Sequence, residues 1–366
     1  MEVTLTINNK KVVAPEGSTI LEAARGAGIT IPTLCHHPDL TNIGACRLCV
    51  VSVEKARSLQ TACTTPVFEG MVVDTESEDA RATRRFVLEM LLSDHPNDCM
   101  RCEVNGECEL QDLAYAYDVP WPESPGKRHE YEVNSDPNPF IAVDRNKCVL
   151  CGRCVRACAE IQVRNVWSFA SRGFESKLVA GADQLMLDAR CESCGQCIAY
   201  CPVGALYDKL SLKNARVNKI KKVRTTCPYC GVGCNMDLNV SEDGKIVRAT
   251  STPEAPVNGM ALCVKGRFGY DFVHHSDRLT RPQVRRYLLE GGEKGKGDHG
   301  DEMVEVDWDV ALDISADRLR EIRDNYGSDS IGILTSAKCL NEENYLMNKF
   351  ARQVIGTNNI DHCARL

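Results

Sequence analysis

The chain has 366 residues, 43% of them hydrophobic, and 21 are cysteines, nearly all crowded between positions 35 and 263. That is apolar surface enough for two or three domains, which excludes a disordered tail, and the net charge of 44 − 51 = −7 excludes a nucleic-acid binder that relies on neutralising phosphates. No apolar run approaches a bilayer span, and Met1–Lys10 carries no basic n-region, apolar h-region or twin arginine, so the chain is expected to stay in the cytoplasm, where disulfides are uncommon and spaced cysteines point to metal or redox chemistry.

Val3–Ile7 alternates like a strand, Asn8-Asn9 turns, Lys11–Ala14 returns, and Thr19-x-x-Glu22 caps a short helix carrying Ile20, Leu21, Ala24 and Ala27. Next come Cys35, Cys46, Cys49 and Cys63, spaced C-x10-C-x2-C-x13-C. The close pair lets two thiolates of one loop meet the same centre and the others close the shell, which suits a [2Fe–2S] cluster. Hairpin, helix and cysteine loop is the order of a β-grasp ferredoxin. Zinc is the alternative, but structural zinc sites usually show two close ligand pairs. The spacing resembles the N-terminal module of complex I and of multi-cluster hydrogenases and formate dehydrogenases.

A helix expected over Ala82–Leu92 leads to His95, Cys99, Cys102 and Cys108, or H-x3-C-x2-C-x5-C. A histidine four positions ahead of a C-x2-C lies on the same side of one turn and suits a fourth ligand. The resemblance to the same families implies a [4Fe–4S] site with three cysteines and one histidine; zinc held by that set is the alternative. Residues 119–139, with Pro120, Pro122, Pro125, Gly126, Pro137 and Pro139, read as a linker.

Cys148, Cys151, Cys154 and Cys158 form C-x2-C-x2-C-x3-C, repeated by Cys191, Cys194, Cys197 and Cys201, with Pro202 following. This is the bacterial two-cluster ferredoxin run, whose fourth cysteine serves the other cluster. Cys148, Cys151, Cys154 and Cys201 are therefore assigned to one [4Fe–4S] centre, and Cys191, Cys194, Cys197 and Cys158 to the other. Ala159 stands at the usual proline and is expected to loosen the turn. Lys209–Arg224 holds seven basic residues and no acidic one; without interleaved aromatics it reads as a solvated connector near cluster loops.

Cys227, Cys230, Cys234 and Cys263 are spaced C-x2-C-x3-C-x28-C, and here the chain resembles the molybdopterin oxidoreductases, whose catalytic subunits open with such a [4Fe–4S] module. The resemblance places Lys265 between cluster and pterin. Glu290–Gly300 is glycine-rich without a phosphate-loop pattern and reads as an exposed loop. An α/β pattern follows: strand Met303–Val306, amphipathic helix Trp308–Tyr326, strand Ser330–Thr335 and helix Glu342–Ile355, the opening of a doubly wound domain that binds ligands at strand carboxyl ends. Thr335–Tyr345 resembles the family's pterin-dinucleotide contact segment, with leucine at position 340 where threonine is commoner. That match makes Ser336, Cys339, Asn341 and Asn344 candidate cofactor contacts, with a helix cap or loop residue the alternative for each.

Asn358–Leu366 resembles the segment of formate dehydrogenases that runs into the selenocysteine or cysteine ligand of molybdenum or tungsten. The expectation is a chain that stops at a UGA codon read as termination, with the metal ligand beyond Leu366 and the 366-residue chain alone inactive.

The expected architecture is α+β and multidomain: a β-grasp [2Fe–2S] ferredoxin over 1–78, a His/Cys3 [4Fe–4S] module over 79–119, a two-cluster ferredoxin over 138–210, a molybdopterin-type [4Fe–4S] module over 220–280 and an incomplete molybdopterin-binding domain over 281–366. One [2Fe–2S] and four [4Fe–4S] centres use 19 cysteines and His95, leaving Cys339 and Cys363. The resemblance implies a cytoplasmic formate dehydrogenase as parent enzyme, with a bis-molybdopterin guanine dinucleotide carrying molybdenum or tungsten. It also implies a hetero-oligomer with a flavin- and NAD(P)-binding iron–sulfur subunit, or a hydrogenase or ferredoxin partner. The large iron–sulfur subunit of complex I is the main alternative; an iron-only hydrogenase and the nitrate-reductase branch rank behind it.

Overall fold

The computed structural model describes the chain except for residues 121, 123–126, 212–214, 292–293, 295–300 and 365–366. It contains two compact units: Met1–Val223 with Asp237–Glu254 and Asn258–Phe268, and Arg224–Met236 with Ala255–Val257 and Gly269–Leu366. Pro125 and Gly126 of the proline-rich connection, Lys213 of the basic run, most of the Glu290–Gly300 loop and the final Arg365 and Leu366 lie outside the described residues.

The first unit opens with β1 (Glu2–Ile7) and β2 (Lys10–Pro15), antiparallel from Glu2↔Pro15 to Ile7↔Lys10. Asn8 and Asn9 both take positive φ, 50° and 64°, as a two-residue hairpin loop requires of its central positions. Helix α1 (Ile20–Gly26) starts at a complete capping box: Thr19 Oγ1 accepts from the Glu22 amide and the Glu22 carboxylate accepts from the Thr19 amide. With β3 (Val50–Val53), β4 (Gln60–Thr61) and β5 (Val72–Asp74), a five-stranded sheet forms in the order β2-β1-β5-β3-β4, with β1 and β5 parallel. Its core of Leu5, Ile7, Ile20, Leu21, Val51 and Val73 includes Cys49 and Cys63, so packing itself delivers two donors.

Helix α2 (Glu78–Asp94), longer than the expected Ala82–Leu92, ends at His95, and α3 (Glu109–Ala116) begins at Cys108. Arg84 of α2 is fully buried; it donates to Val50 O at 2.8 Å and to the Tyr117 hydroxyl at 2.9 Å, tying the helices to the sheet.

The ferredoxin portion is a structural repeat. β6 (Ile141–Val143) leads into the first cysteine run and α4 (Arg153–Arg156); β7 (Trp167–Ala170) and β8 (Lys177–Ala180) pair antiparallel; the second run precedes α5 (Gln196–Ala199); and β9 (Leu206–Asp208) returns to pair with β6. Ala159 does not loosen its turn. The chain there continues from α4 as a π-helical turn, Ala157–Ile161, which a ring without an N–H disfavours, whereas α5 stops before Pro202.

The connection ahead of β6 is bonded in rather than loose. Asp136 accepts from the Met186 amide at 2.7 Å, Asn138 donates to Ser193 Oγ at 2.9 Å, and Lys209 Nζ donates to the carbonyls of Asp136 and Asn138 at 2.9 and 2.5 Å. The basic run is likewise partnered: Lys219 pairs with Glu242, Lys222 with Glu107, and Arg216 donates to Met100 O, between Cys99 and Cys102. In the same unit β10 (Asn235–Ser241), from Asp237 onward, pairs antiparallel with β11 (Ile246–Thr250), and α6 (Val264–Phe268) follows Cys263.

In the second unit, the strand at β13 (Met303–Glu305) does not open a parallel sheet as expected. It pairs antiparallel with β12 (Gln283–Arg285), a strand too short to show periodicity. Helix α7 (Trp308–Tyr326) matches its expected bounds but buries no residue, its Trp308 and Leu312 being 66% and 58% exposed. β14 (Ile333–Thr335) pairs parallel with β15 (Ile360–His362), and α8 (Asn341–Lys349) runs between them, passing into a π-helical turn at Phe350–Ile355.

Candidate metal centres

The first donor set lies at the edge of the five-stranded sheet. Cys49 Sγ and Cys63 Sγ are 3.3 Å apart, and the Cys46 amide donates to Cys35 Sγ at 3.4 Å while the Leu34 amide donates to Cys46 Sγ at 3.4 Å. Hydrogen bonding between the two thiols holds Cys46 low against its burial and raises Cys35 in turn. Cys63 lies within electrostatic reach of the other three sulfurs.

The second set lines a cavity of about 400 Å³ with His95, Cys99 and Cys108 on its wall beside Leu92, Leu110 and Ala114. Cys102 interacts electrostatically with Cys99 and Cys108, and its sulfur would stand 2.7 Å from any Cβ added at Gly204. His95 is buried, and burial lowers its pKa, so the imidazole is neutral at pH 7. Nδ1 accepts from the Asn97 backbone N–H at 3.1 Å and lies 3.2 Å from Asn97 Oδ1, while Asn97 Nδ2 donates to Leu92 O at 2.9 Å. That last bond turns Oδ1 towards the ring. The backbone donor and Oδ1 favour opposite tautomers: a proton on Nδ1, given to Oδ1, is the state in which Nε2 presents a bare lone pair, and Nε2 is buried without a hydrogen-bond partner among the described residues. A ligand histidine commonly has this arrangement.

The two ferredoxin runs show the same backbone device. In each, the residue before the second cysteine and the residue after it lie at positive φ: Leu150 at 50° and Gly152 at 68°, Ser193 at 54° and Gly195 at 74°. The chain thereby curls around a centre and releases into a short helix. Cys201 is in electrostatic reach of Cys151 and Cys148, and Cys158 of Cys191, Cys194 and Cys197, so each run's fourth cysteine is drawn to the other run. Burial pushes the Cys148 and Cys151 thiols up to about 12 and Cys201 to about 11. Buried thiols resist ionisation until a cation compensates them, as binding iron does. Amides of Val166 and Ser193 donate to Cys158 Sγ and Cys191 Sγ, both at 3.3 Å. Buried Arg267 donates to Cys194 O at 3.0 Å.

Of the last set, Cys227, Cys230 and Cys234 belong to the second unit, where the Cys227 amide donates to Cys234 O at 2.8 Å; Cys263 and Lys265 belong to the first. Among the described residues, no three His, Cys, Asp or Glu side chains come together as a single metal ion requires.

Within the second unit, Ser336 and Cys363 follow the carboxyl ends of the parallel strands β14 and β15, with Ser336 Oγ and Cys363 Sγ 3.4 Å apart and the Ala337 amide donating to that sulfur at 3.2 Å. The Gly231 amide of the cysteine loop donates to Ala337 O at 2.7 Å, and an added Gly231 Cβ would meet that oxygen at 3.2 Å and Cys339 O at 3.3 Å. Asn344 donates to Ser336 O and Leu340 O at 3.3 and 3.2 Å, and its buried Oδ1 has no partner among the described residues. Asn341 opens α8. The structure thus gathers Ser336, Cys339 and Asn344 with Cys363, which sequence reasoning left unassigned; its one signal was its place after a strand.

Against known protein families, residues 1–78 match the 2Fe-2S iron-sulfur cluster binding domain, 84–120 the NADH-ubiquinone oxidoreductase-G iron-sulfur binding region, and 138–207 the ferredoxin-like domain of NADH-quinone oxidoreductase subunit 3. Residues 220–275 match the molybdopterin oxidoreductase Fe4S4 domain and 278–366 the molybdopterin oxidoreductase family. The alpha subunit of an NADPH-Fe(3+) oxidoreductase of Geobacter sulfurreducens is 36% identical over 100% of this chain and 40% of its own length. A Staphylococcus aureus protein whose name assigns it provisionally to formate dehydrogenase is 30% identical over 99% of this chain and 39% of its own. The chain thus spans about two fifths of these relatives. In a crystal structure of an NAD+-reducing [NiFe]-hydrogenase, one chain is 34% identical, with a TM-score of 0.55 over 59% of this chain and 91% of that one.

Proposed function

We propose that this chain, an iron–sulfur polypeptide with molybdopterin oxidoreductase domains and with iron–sulfur regions related to those of NADH-quinone oxidoreductase and formate dehydrogenase-like proteins, is an electron relay of one [2Fe–2S] and four [4Fe–4S] centres. Its modules divide at 1–78, 79–119, 138–210, 220–280 and 281–366. The ligand sets are Cys35, Cys46, Cys49 and Cys63; His95, Cys99, Cys102 and Cys108; Cys148, Cys151, Cys154 and Cys201; Cys191, Cys194, Cys197 and Cys158; and Cys227, Cys230, Cys234 and Cys263. The exchange of the fourth cysteine between the two ferredoxin runs carries this reading, because one metal per run does not call for it.

Such centres supply one-electron storage at potentials set by charge, hydrogen bonds to sulfur and burial. The chain's residues provide each of those. Buried sites exclude water, the Val166 and Ser193 amides stabilise reduced sulfur, and Asn97 holds the His95 tautomer. Ser336, Cys339, Asn341 and Asn344 are the contacts offered to a pterin dinucleotide, with Lys265 the cation between the last cluster and that group. The reaction proposed for the longer protein is the interconversion of formate and carbon dioxide, with an NAD(P)-reducing or hydrogenase-type partner subunit. Matches at 84–120 and 138–207 to NADH-quinone oxidoreductase regions support a second reading, a respiratory iron–sulfur subunit without formate chemistry.

Anaerobic reconstitution tests the relay: it predicts about 18 irons per chain, the content of one [2Fe–2S] and four [4Fe–4S] centres. Two irons, or stoichiometric zinc, refute it. Molybdenum or tungsten in the longer protein, with formate-dependent dye reduction, separates the formate reading from the respiratory one.

A further inference from the structure

Arg156, the last residue of α4, is 7% exposed and forks across two of the donor sets. Its Nη2 donates to Cys35 O at 2.5 Å and to Cys151 O at 3.2 Å; Nη1 donates to Thr41 O at 2.5 Å and Nε to Gly152 O at 3.2 Å. Every acceptor is a main-chain carbonyl, and among the described residues no carboxylate lies within ion-pair distance of this guanidinium. Arg153, one turn earlier and equally buried, differs: Glu109 accepts from it at 2.5 and 2.9 Å.

Around Arg156 the Cys35–Cys46 loop is seated on the ferredoxin portion. The Thr41 amide donates to Glu160 at 2.8 Å, the Tyr200 hydroxyl to Asp39 at 3.0 Å, Leu40 packs on Ala157 and Tyr200, and Ile43 Cδ1 would stand 3.3 Å from a Cβ at Gly152. A buried cation met only by carbonyls is costly unless negative charge lies close by. Iron-bound thiolates of the two sets it bridges would supply such charge.

We propose that Arg156 is a positioning residue shared by two redox centres: one guanidinium holds the Cys35 and Cys151 loops together and stabilises the one-electron-reduced state of both. This rests on the assignment of those two cysteine sets to clusters. Reduction adds one negative charge to a centre, and a fixed positive charge in a medium of low dielectric favours that state.

The test is a dithionite titration of the full chain, purified anaerobically and followed by electron paramagnetic resonance. The [2Fe–2S] signal is read apart from the others by its slower relaxation, and the Cys148-set signal is identified by its alteration in Cys151→Ser. In Arg156→Gln, at the potential where each centre is half reduced in the parent, the reduced-to-oxidised ratio is expected to fall at least tenfold at both centres, 59 mV for a one-electron couple. Iron-loaded Arg156→Gln with both ratios unchanged, or with only one moved, overturns the shared role. Arg156→Lys keeps the charge without the fork and is expected to load and move both ratios the same way by less. If the glutamine variant does not load, unchanged ratios in the lysine variant overturn the proposal. A parent protein without a [2Fe–2S] signal would instead refute the cluster assignment, and the proposal with it.

Discussion

Asn97→Gly isolates the side chain that orients His95. Asn97 sits at φ 57°, a conformation glycine adopts without strain, so the substitution removes the amide and leaves the backbone undisturbed. Two hydrogen bonds go with it, from Nδ2 to Leu92 O and from the His95 Nδ1 to Oδ1. The Asn97 backbone amide, 3.1 Å from Nδ1, then favours the proton on Nε2, the nitrogen needed for iron. Loss of such an outer partner typically costs ten- to a hundredfold in metal affinity, about 1.4–2.7 kcal/mol. Cluster release into an iron chelator, followed by iron and sulfide analysis and by the spectrum of the centre proposed at His95, should accelerate to that degree while the other proposed centres hold. Asn97→Asp retains an acceptor for Nδ1–H and is expected to keep the cluster. Release from Asn97→Gly at the parental rate would show that Oδ1 does not set the tautomer, and the case for His95 as ligand would lose its structural support.

Gly195→Ala and Gly152→Ala both place a side chain at positive φ, a strain of roughly 1–2 kcal/mol. A Cβ at Gly195 would run into Arg267 Cδ and lie 2.9 Å from Phe268 Cζ, against 3.3 Å from Ile43 Cδ1 at Gly152, so overpacking adds about 1–3 kcal/mol at the former and less at the latter; equal falls in thermal midpoint would contradict this. Gly204→Ala should selectively impair the centre proposed at His95, Cys99, Cys102 and Cys108 by displacing Cys102 Sγ, seen as loss of that signal with the proposed [2Fe–2S] signal intact. Burial raises the Asp208 pKa from 3.8 to about 6, so between these values the folded state binds more protons than the unfolded one and stability falls as pH rises. Asp208→Asn should therefore be the more stable form above pH 6, by up to about 3 kcal/mol at 1.36 kcal/mol per unit, and lose that advantage near pH 4; a midpoint difference independent of pH would refute it.

Local rules made part of this fold legible. The Thr19 capping box and the Asn8-Asn9 turn act over a few residues, and the structure has them as expected. Partner choice is not local. The alternation around Met303 specifies a strand but not its neighbour, which is why a hairpin with Gln283–Arg285 was unforeseen. The cysteine spacings name donors, yet what steers those donors lies far away in sequence or runs against compositional expectation. Leu150 and Ser193 take positive φ although neither is glycine, because each turn folds back between closely spaced cysteines. Cys363 and Ser336 are 27 positions apart and meet because parallel strands end side by side. Arginine is ordinarily exposed, and nothing near Arg156 in sequence marks it for burial: 121 positions separate it from Cys35, whose carbonyl it holds. Burying such a cation is favourable only where several loops converge on negative charge, and that convergence belongs to the folded chain, since no window of sequence contains it.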